Sequence, residues 1–110
     1  MKNDTDVDRI FHALSDATRR DIMSRAIQRE QSVSDLSRRY AMSFAAVQKH
    51  VAVLERAELI AKERRGKQQI VHSELATVRR AVRLLQRYEQ LWRGRADRID
   101  SILADDENND

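Results

Sequence analysis

Apolar side chains recur along this chain with two different periods, and the change between them divides it into parts. Val7, Ile10, Phe11 and Leu14 follow i, i+3, i+4, i+7 spacing, which puts them on one face of a first helix. Ser15 or Asp16 is suited to cap a second helix, with Ile22, Met23, Ala26 and Ile27 as its buried stripe. Residues 28–31, QREQ, read as a polar connection. A short third helix starts at Ser32 or Ser34 and turns Val33, Leu36 and Tyr40 inward. Met42 and Ser43 make a turn, and Ser43 is a natural N-cap for a fourth helix over Phe44 to Glu58. Val47, Val51 and Leu54 form its core face. From Leu59 the period shortens. LIAKERR and QQIVHS flank Arg65-Gly66-Lys67, and β-branched residues on both sides of a glycine turn predict a hairpin.

The longest helix is expected from Glu74 to about Leu103. Leu75, Val78, Val82, Leu85, Glu89, Trp92, Ala96, Ile99 and Leu103 are spaced alternately by three and four residues. All but Glu89 are apolar, the seam of a helix packed along another helix. Ala81, Leu84, Tyr88 and Leu91 form a second stripe beside it. A small domain does not easily bury both stripes by itself. The economical solution is a homodimer, with this helix and the first packing on their symmetry mates. Val7, Ile10, Phe11, Leu85, Tyr88, Trp92 and Ile99 are the expected interface residues. Glu89 has Arg93, or an arginine of the second subunit, as its expected partner. Gly94 is expected to interrupt or bend the helix, at about 1 kcal/mol relative to alanine.

Composition narrows the chemistry. With 110 residues the chain is one domain. Cysteine is absent, which excludes disulfides, zinc-thiolate sites and thiol catalysis. Proline is also absent and charged residues make up 35%, as in a mostly helical, heavily solvated protein. No apolar run approaches a membrane span, and the first residues, MKNDTDVD, lack the apolar stretch of a secretory signal. A cytoplasmic protein with no membrane partner is expected. The net charge is +3, but the last seven residues, ADDENND, hold four acids and no base. The rest of the chain sets 21 bases against 14 acids, a balance of +7. A basic domain over residues 1–103 with an acidic disordered tail at 104–110 suits an anionic partner.

The order of a short helix, a turn, a longer helix and a basic hairpin between Leu36 and Gln69 is that of a winged helix-turn-helix. The fold class expected is therefore mainly α, with about five helices and a two-stranded wing. With Val47 and Val51 inward, Phe44, Ala45, Gln48 and Lys49 lie largely outward. Gln48 is able to pair with a base edge, most readily adenine, and Lys49 with guanine or phosphate. Phe44 is placed to touch a thymine methyl or to tuck into the core, and Ser43 with the free N–H groups of the helix start to hold a phosphate. His50 either hydrogen-bonds within the domain or touches phosphate. Wing and backbone candidates are Arg64, Arg65, Lys67, Gln68 and Arg38, with Lys62, Arg39 and the Arg19–Arg20 pair as further cations. His12, His50 and His72 are widely separated and none has a companion histidine one helical turn away, so no metal site is expected. No nucleophile-and-base order or glycine-rich phosphate loop is present, so no cofactor and no enzyme activity are expected.

These segments resemble the ArsR/SmtB-type winged-helix repressors of bacteria and archaea. FHALSDATRRDIM is similar to that family's F-x-A-L-A/S-D-P-T-R-x-x-I-L/M, with Ala17 where proline is usual. Val33-Ser34-Asp35-Leu36 resembles the V-x-E/D-L that opens its third helix, and MSFAAVQKHVAVLERAELI resembles its recognition segment. RRGKQQIVHS resembles its wing. Ser32 and Ser34 occupy the positions of the C-x-C pair found in metal-sensing members, and the last helix has no histidine, so no metal response is expected. Phe44, Ala45 and Gln48-Lys49 differ from the residues usual at the start of the recognition helix, and Glu58 stands where glycine is usual. Tyr88, Trp92 and RADRIDSIL resemble an aromatic-rich, non-metal subgroup that dimerises by its first and last helices. The resemblance implies a homodimeric repressor on a palindromic operator in double-stranded DNA, in a bacterial or archaeal nucleoid. The other reading is a dimeric helical adaptor on the same scaffold.

Overall fold

The computed structural model describes residues 2–108. Five helices and a small sheet follow in the order α1 (Lys2–Ala13), α2 (Ala17–Gln28), β1 (Gln31–Ser32), α3 (Val33–Ser37), α4 (Phe44–Arg56), β2 (Ile60–Arg65), β3 (Gln68–Ser73) and α5 (Leu75–Asn108). The sheet is antiparallel with strand order β1-β3-β2. Its third strand is an addition to the expected two-stranded wing. Gln31, expected in the polar connection, and Ser32, which also caps α3 as expected, pair with Val71 and Ile70 and anchor the wing to the body.

The core lies where α2, α3, α4 and the sheet meet. Ile22, Leu36, Val47, Val51, Leu54, Leu59, Ile60 and Val71 are all fully buried there. The starts of α2, α3 and α4 are fixed by their own sequence. Asp16 caps α2 by accepting from the Arg19 N–H at 3.0 Å, Ser32 caps α3 through the Asp35 N–H at 3.0 Å, and Ser43 caps α4 through the Ala46 N–H at 3.1 Å. Such caps contribute about 1 kcal/mol each. Two expected burials differ. Ile27 is 59% exposed, because the stripe of α2 closes on Ile22, Met23 and Ala26. Ile10, expected at the interface, is 0% exposed and belongs to the core of the protomer.

Helix α4 ends at Arg56, earlier than the expected Glu58, through a left-handed residue. Glu58 has φ +61°. The Glu58 N–H donates to the Glu55 carbonyl at 2.9 Å and the Leu59 N–H to the Leu54 carbonyl at 3.0 Å, the paired bonds of a Schellman cap. A clamp forms around this residue. Its carbonyl accepts from the Thr77 hydroxyl at 2.5 Å, and its carboxylate accepts from Arg80 at 3.3 Å. Arg80 also donates to Asp6 of α1 at 3.2 Å. The end of the fourth helix is thereby tied to both α1 and α5.

Helix α5 spans 34 residues, or about 51 Å at the standard rise. It accounts for most of the 77 Å long axis of the molecule. It stays helical through Gly94, so no break occurs there. The helix continues to Asn108, past the expected end at Leu103, and Asn109 and Asp110 of the acidic tail lie outside the described residues. Replacing Glu58 by glycine removes the left-handed strain and keeps the carbonyl bond to Thr77. The lost pair with Arg80 is solvent-exposed and weak. Glu58→Gly should therefore raise the unfolding free energy by about 0.5–1 kcal/mol in urea titration; a loss of stability would show that the carboxylate clamp outweighs the strain.

Candidate nucleic-acid interface

The roll of α4 about its own axis follows from three buried side chains. Val47, Val51 and Leu54 are 0–1% exposed and pin one face into the core. Ser43, Phe44, Ala45, Gln48 and Lys49 consequently face outward and are exposed. Phe44 is 46% exposed, so it is not part of the core. These residues form the cap and the first turn and a half of the helix; the Phe44 and Ala45 amides open the helix without intrahelical acceptors, and the Ala46 amide donates to the Ser43 hydroxyl. The surface there combines an amide able to make two hydrogen bonds, an ammonium group, an aromatic ring and an array of backbone donors.

His50 sits differently from its neighbours. It is half-buried, and its Nδ1 lies 3.3 Å from Arg19 Nη1 and 3.9 Å from Asp16 Oδ2. A guanidinium only donates, so Nδ1 accepts and the neutral ring carries its proton on Nε2. Arg19 also donates from Nε to the Ala13 carbonyl at 2.7 Å and from Nη2 to the His12 carbonyl at 3.0 Å. Arg20 donates to the Leu14 carbonyl at 2.8 Å. Both arginines thus hydrogen-bond carbonyls at and just beyond the end of α1, and Arg20 stays exposed. The Arg19 amide N–H, the largest influence, holds the Asp16 carboxyl below the usual carboxylate range. The segment SDATRR is a junction that joins α1, α2 and α4.

A second polar junction supports the turn between α3 and α4. The Tyr40 hydroxyl donates to Asp21 at 2.6 Å, Arg25 donates to the same oxygen at 2.9 Å, and the Arg25 guanidinium lies 5.9 Å from the Tyr40 ring centroid. Burial, and then the Asp21 carboxylate, push the Tyr40 hydroxyl up to about 12. The hydrogen bond from Tyr40 and the pair with Arg25 hold Asp21 low. This three-residue contact joins positions 19 apart in sequence, and only the aromatic character of Tyr40 hinted at it.

The wing is a two-residue hairpin. Arg65 pairs with Gln68 across Gly66-Lys67, and Gly66 has φ +61°, a conformation that glycine adopts without strain. Arg64, Arg65, Lys67 and Gln68 are all exposed. Arg64 donates to the Gly66 carbonyl at 3.2 Å, within the wing tip. Lys62 pairs with Glu55 at 3.5 Å and Arg38 with Asp35 at 3.1 Å. Arg65 is held by two acids, Glu30 at 2.8 Å and Glu63 at 3.0 Å.

The expected interface residues divide. Leu85, Tyr88, Trp92 and Ile99 of α5 are all exposed, Trp92 at 68%, and Arg95 lies over its ring at 5.3 Å. Glu89 pairs with Arg93 at 2.7 Å within the helix. Phe11 is partly exposed, Val7 is half-buried, and Ile10 is lost to the core. No described helix is long and apolar enough to cross a membrane.

No protein-family model matches the chain, and no curated protein matches it. Solved structures do. An ArsR-like transcriptional regulator from a Rhodococcus species is 27% identical, with a TM-score of 0.80 over 93% of this chain and 96% of its own. A second ArsR family transcriptional regulator is 26% identical, with a TM-score of 0.77 over 81% of this chain and 92% of that one. HlyU from Vibrio cholerae is 25% identical, with a TM-score of 0.64 over 79% and 95%. The junction around Arg19 gives a local test of the geometry. Arg19→Ala removes hydrogen bonds to two carbonyls and one imidazole and should lower stability by about 2 kcal/mol in denaturant unfolding; an unchanged midpoint would mean that water replaces the guanidinium at no cost.

Proposed function

Because the chain carries the ArsR-type winged helix-turn-helix fold, we propose that it is a sequence-specific DNA-binding transcriptional regulator. It acts as a homodimeric repressor on a palindromic operator and takes no metal signal. The observation that carries this reading is the exposed start of α4. Val47, Val51 and Leu54 turn Phe44, Ala45, Gln48 and Lys49 outward on the second helix of the motif. Gln48 is the base reader, Lys49 contacts guanine or phosphate, and the Ser43 end of the helix receives a backbone phosphate. Arg64, Lys67 and Gln68 lie along the neighbouring backbone. His50 is held in place by Arg19 and acts through the proton on Nε2, as a donor toward phosphate.

Two such heads need a connection. The exposed apolar side chains of α5, from Leu85 through Trp92 to Ile99, supply one when they meet those of a second copy. The NMR structure of Mb0332 from Mycobacterium bovis, 21% identical, is described as a homodimeric winged helix-turn-helix DNA-binding domain. Its fold is shared with this chain at a TM-score of 0.63. Half-sites about one helical turn apart follow from two heads related by a two-fold axis. The absence of a metal signal is supported by Ser32. The residue is 3% exposed and its hydroxyl caps α3, at a position where metal sensors carry a cysteine.

Selection of bound duplexes from a random pool tests the reading directly. Recovery of a two-fold symmetric sequence supports it, and recovery of no preferred sequence contradicts it. On the selected operator, Gln48→Ala should cost about 1–3 kcal/mol while leaving binding to random duplex nearly unchanged. Equal losses on both would remove Gln48 from base reading. Arg64→Ala should weaken binding to every duplex alike and lower the salt slope by about one. Trp92→Ala should shift the protein toward monomer in analytical ultracentrifugation, since aromatic anchors dominate such contacts. A dimer as stable as the original would place the interface elsewhere.

A further inference from the structure

Arg65 is a wing cation whose charge is answered by two acids of the protein itself. Its Nη2 donates to Glu30 at 2.8 Å and to Glu63 at 3.0 Å. The two acids are not equivalent. Glu63 lies two residues away on β2 and travels with the wing. Glu30 belongs to the connection between α2 and β1, on the body of the domain, 35 residues distant. The three side chains together carry a negative charge, in a wing whose remaining cations are Lys62, Arg64 and Lys67. Lys62 in turn is paired with Glu55.

We infer that Glu30 is an internal competitor for the DNA backbone. It holds Arg65 against the body of the free protein, and a phosphate must displace its carboxylate before Arg65 contributes to binding. This inference rests on the DNA-binding reading and adds to it a residue that lies outside α4 and outside the wing. All three groups are about half exposed, at 51%, 47% and 49%, so exchange of one anion for another needs no rearrangement of the core. A pair of this exposure is weak, and a phosphate of a polyanion displaces it readily. The result is a lower affinity for every duplex whose phosphate takes Arg65, because the exchange offsets part of that contact. DNA that does not reach this point leaves Arg65 with Glu30 and loses nothing to it. Glu30 thereby trims the sequence-independent affinity of the wing without touching a base.

The test is a double-mutant cycle read by fluorescence anisotropy on one random-sequence duplex across a salt series. The four proteins are the original, Glu30→Gln, Arg65→Ala and the double variant. Glu30→Gln should bind about two- to fivefold more tightly at low salt, with a salt slope steeper by up to about one. The gain should vanish in the Arg65→Ala background. A gain of equal size in that background would reduce Glu30 to an ordinary surface charge and overturn the inference. Unchanged or weaker binding by Glu30→Gln overturns it as well and makes the carboxylate a support for the wing. Failure of the original protein to show salt-dependent binding would instead remove the DNA reading itself, and this inference with it.

Discussion

The placement of every outward group on α4 depends on the burial of three aliphatic side chains. Val47, Val51 and Leu54 meet Ile22, Leu36 and Val71 in one close-packed core. A helix held along one stripe has no freedom to roll, because a rotation of one residue, about 100°, would bring Gln48 into the core and Val47 into water. Burying the Gln48 amide there without partners would cost several kcal/mol. Readout of an operator would thus begin in hydrocarbon packing, well away from any polar contact with DNA.

Around that core the polar junctions divide their work. Arg19 closes the end of α1 and locks His50, Tyr40 fastens the turn to α2, and the Glu58 clamp joins the last turn of α4 to α1 and α5. Buried side-chain polar atoms without a partner are absent among the described residues. Two of these junctions hold the candidate reading helix, through His50 and through its C-terminal end, and the third holds the turn that leads into it. Thr77 and Arg80 of α5 contact Glu58 directly, so the end of α4 and α5 are joined over a path only a few residues long.

How much of this was legible depended on the range of the interaction. Periodicity shows the core face of α4, and residue type shows its Ser43 cap and the glycine hairpin, because each is decided within a few residues. The β1 strand escaped because two residues carry no alternation, and its pairing with Ile70 and Val71 is set by the wing's position. Arg19 and Arg20 read as surface charge, since a sequence does not show that the end of α1 leaves carbonyls within their reach. Spacing puts Ile10 on the outer surface for a similar reason, although it is buried in the protomer. The stripe of α1 meets both the protomer's core and open space, and spacing does not say which residue turns which way. Glu30 and Arg65 come together only through the fold. Gly94 leaves α5 unbroken because one glycine weakens a long helix by about 1 kcal/mol without removing its hydrogen bonds.

The exposed apolar length of α5 has a consequence at the scale of the cell. A reading head that grips DNA only when paired makes occupancy a second-order function of chain abundance in the dilute range. Doubling synthesis then quadruples the paired species while most chains remain single, and dilution at division reduces it just as steeply. The helix that projects from the body would act as a threshold element, converting a graded supply of protein into a sharper response at the operator.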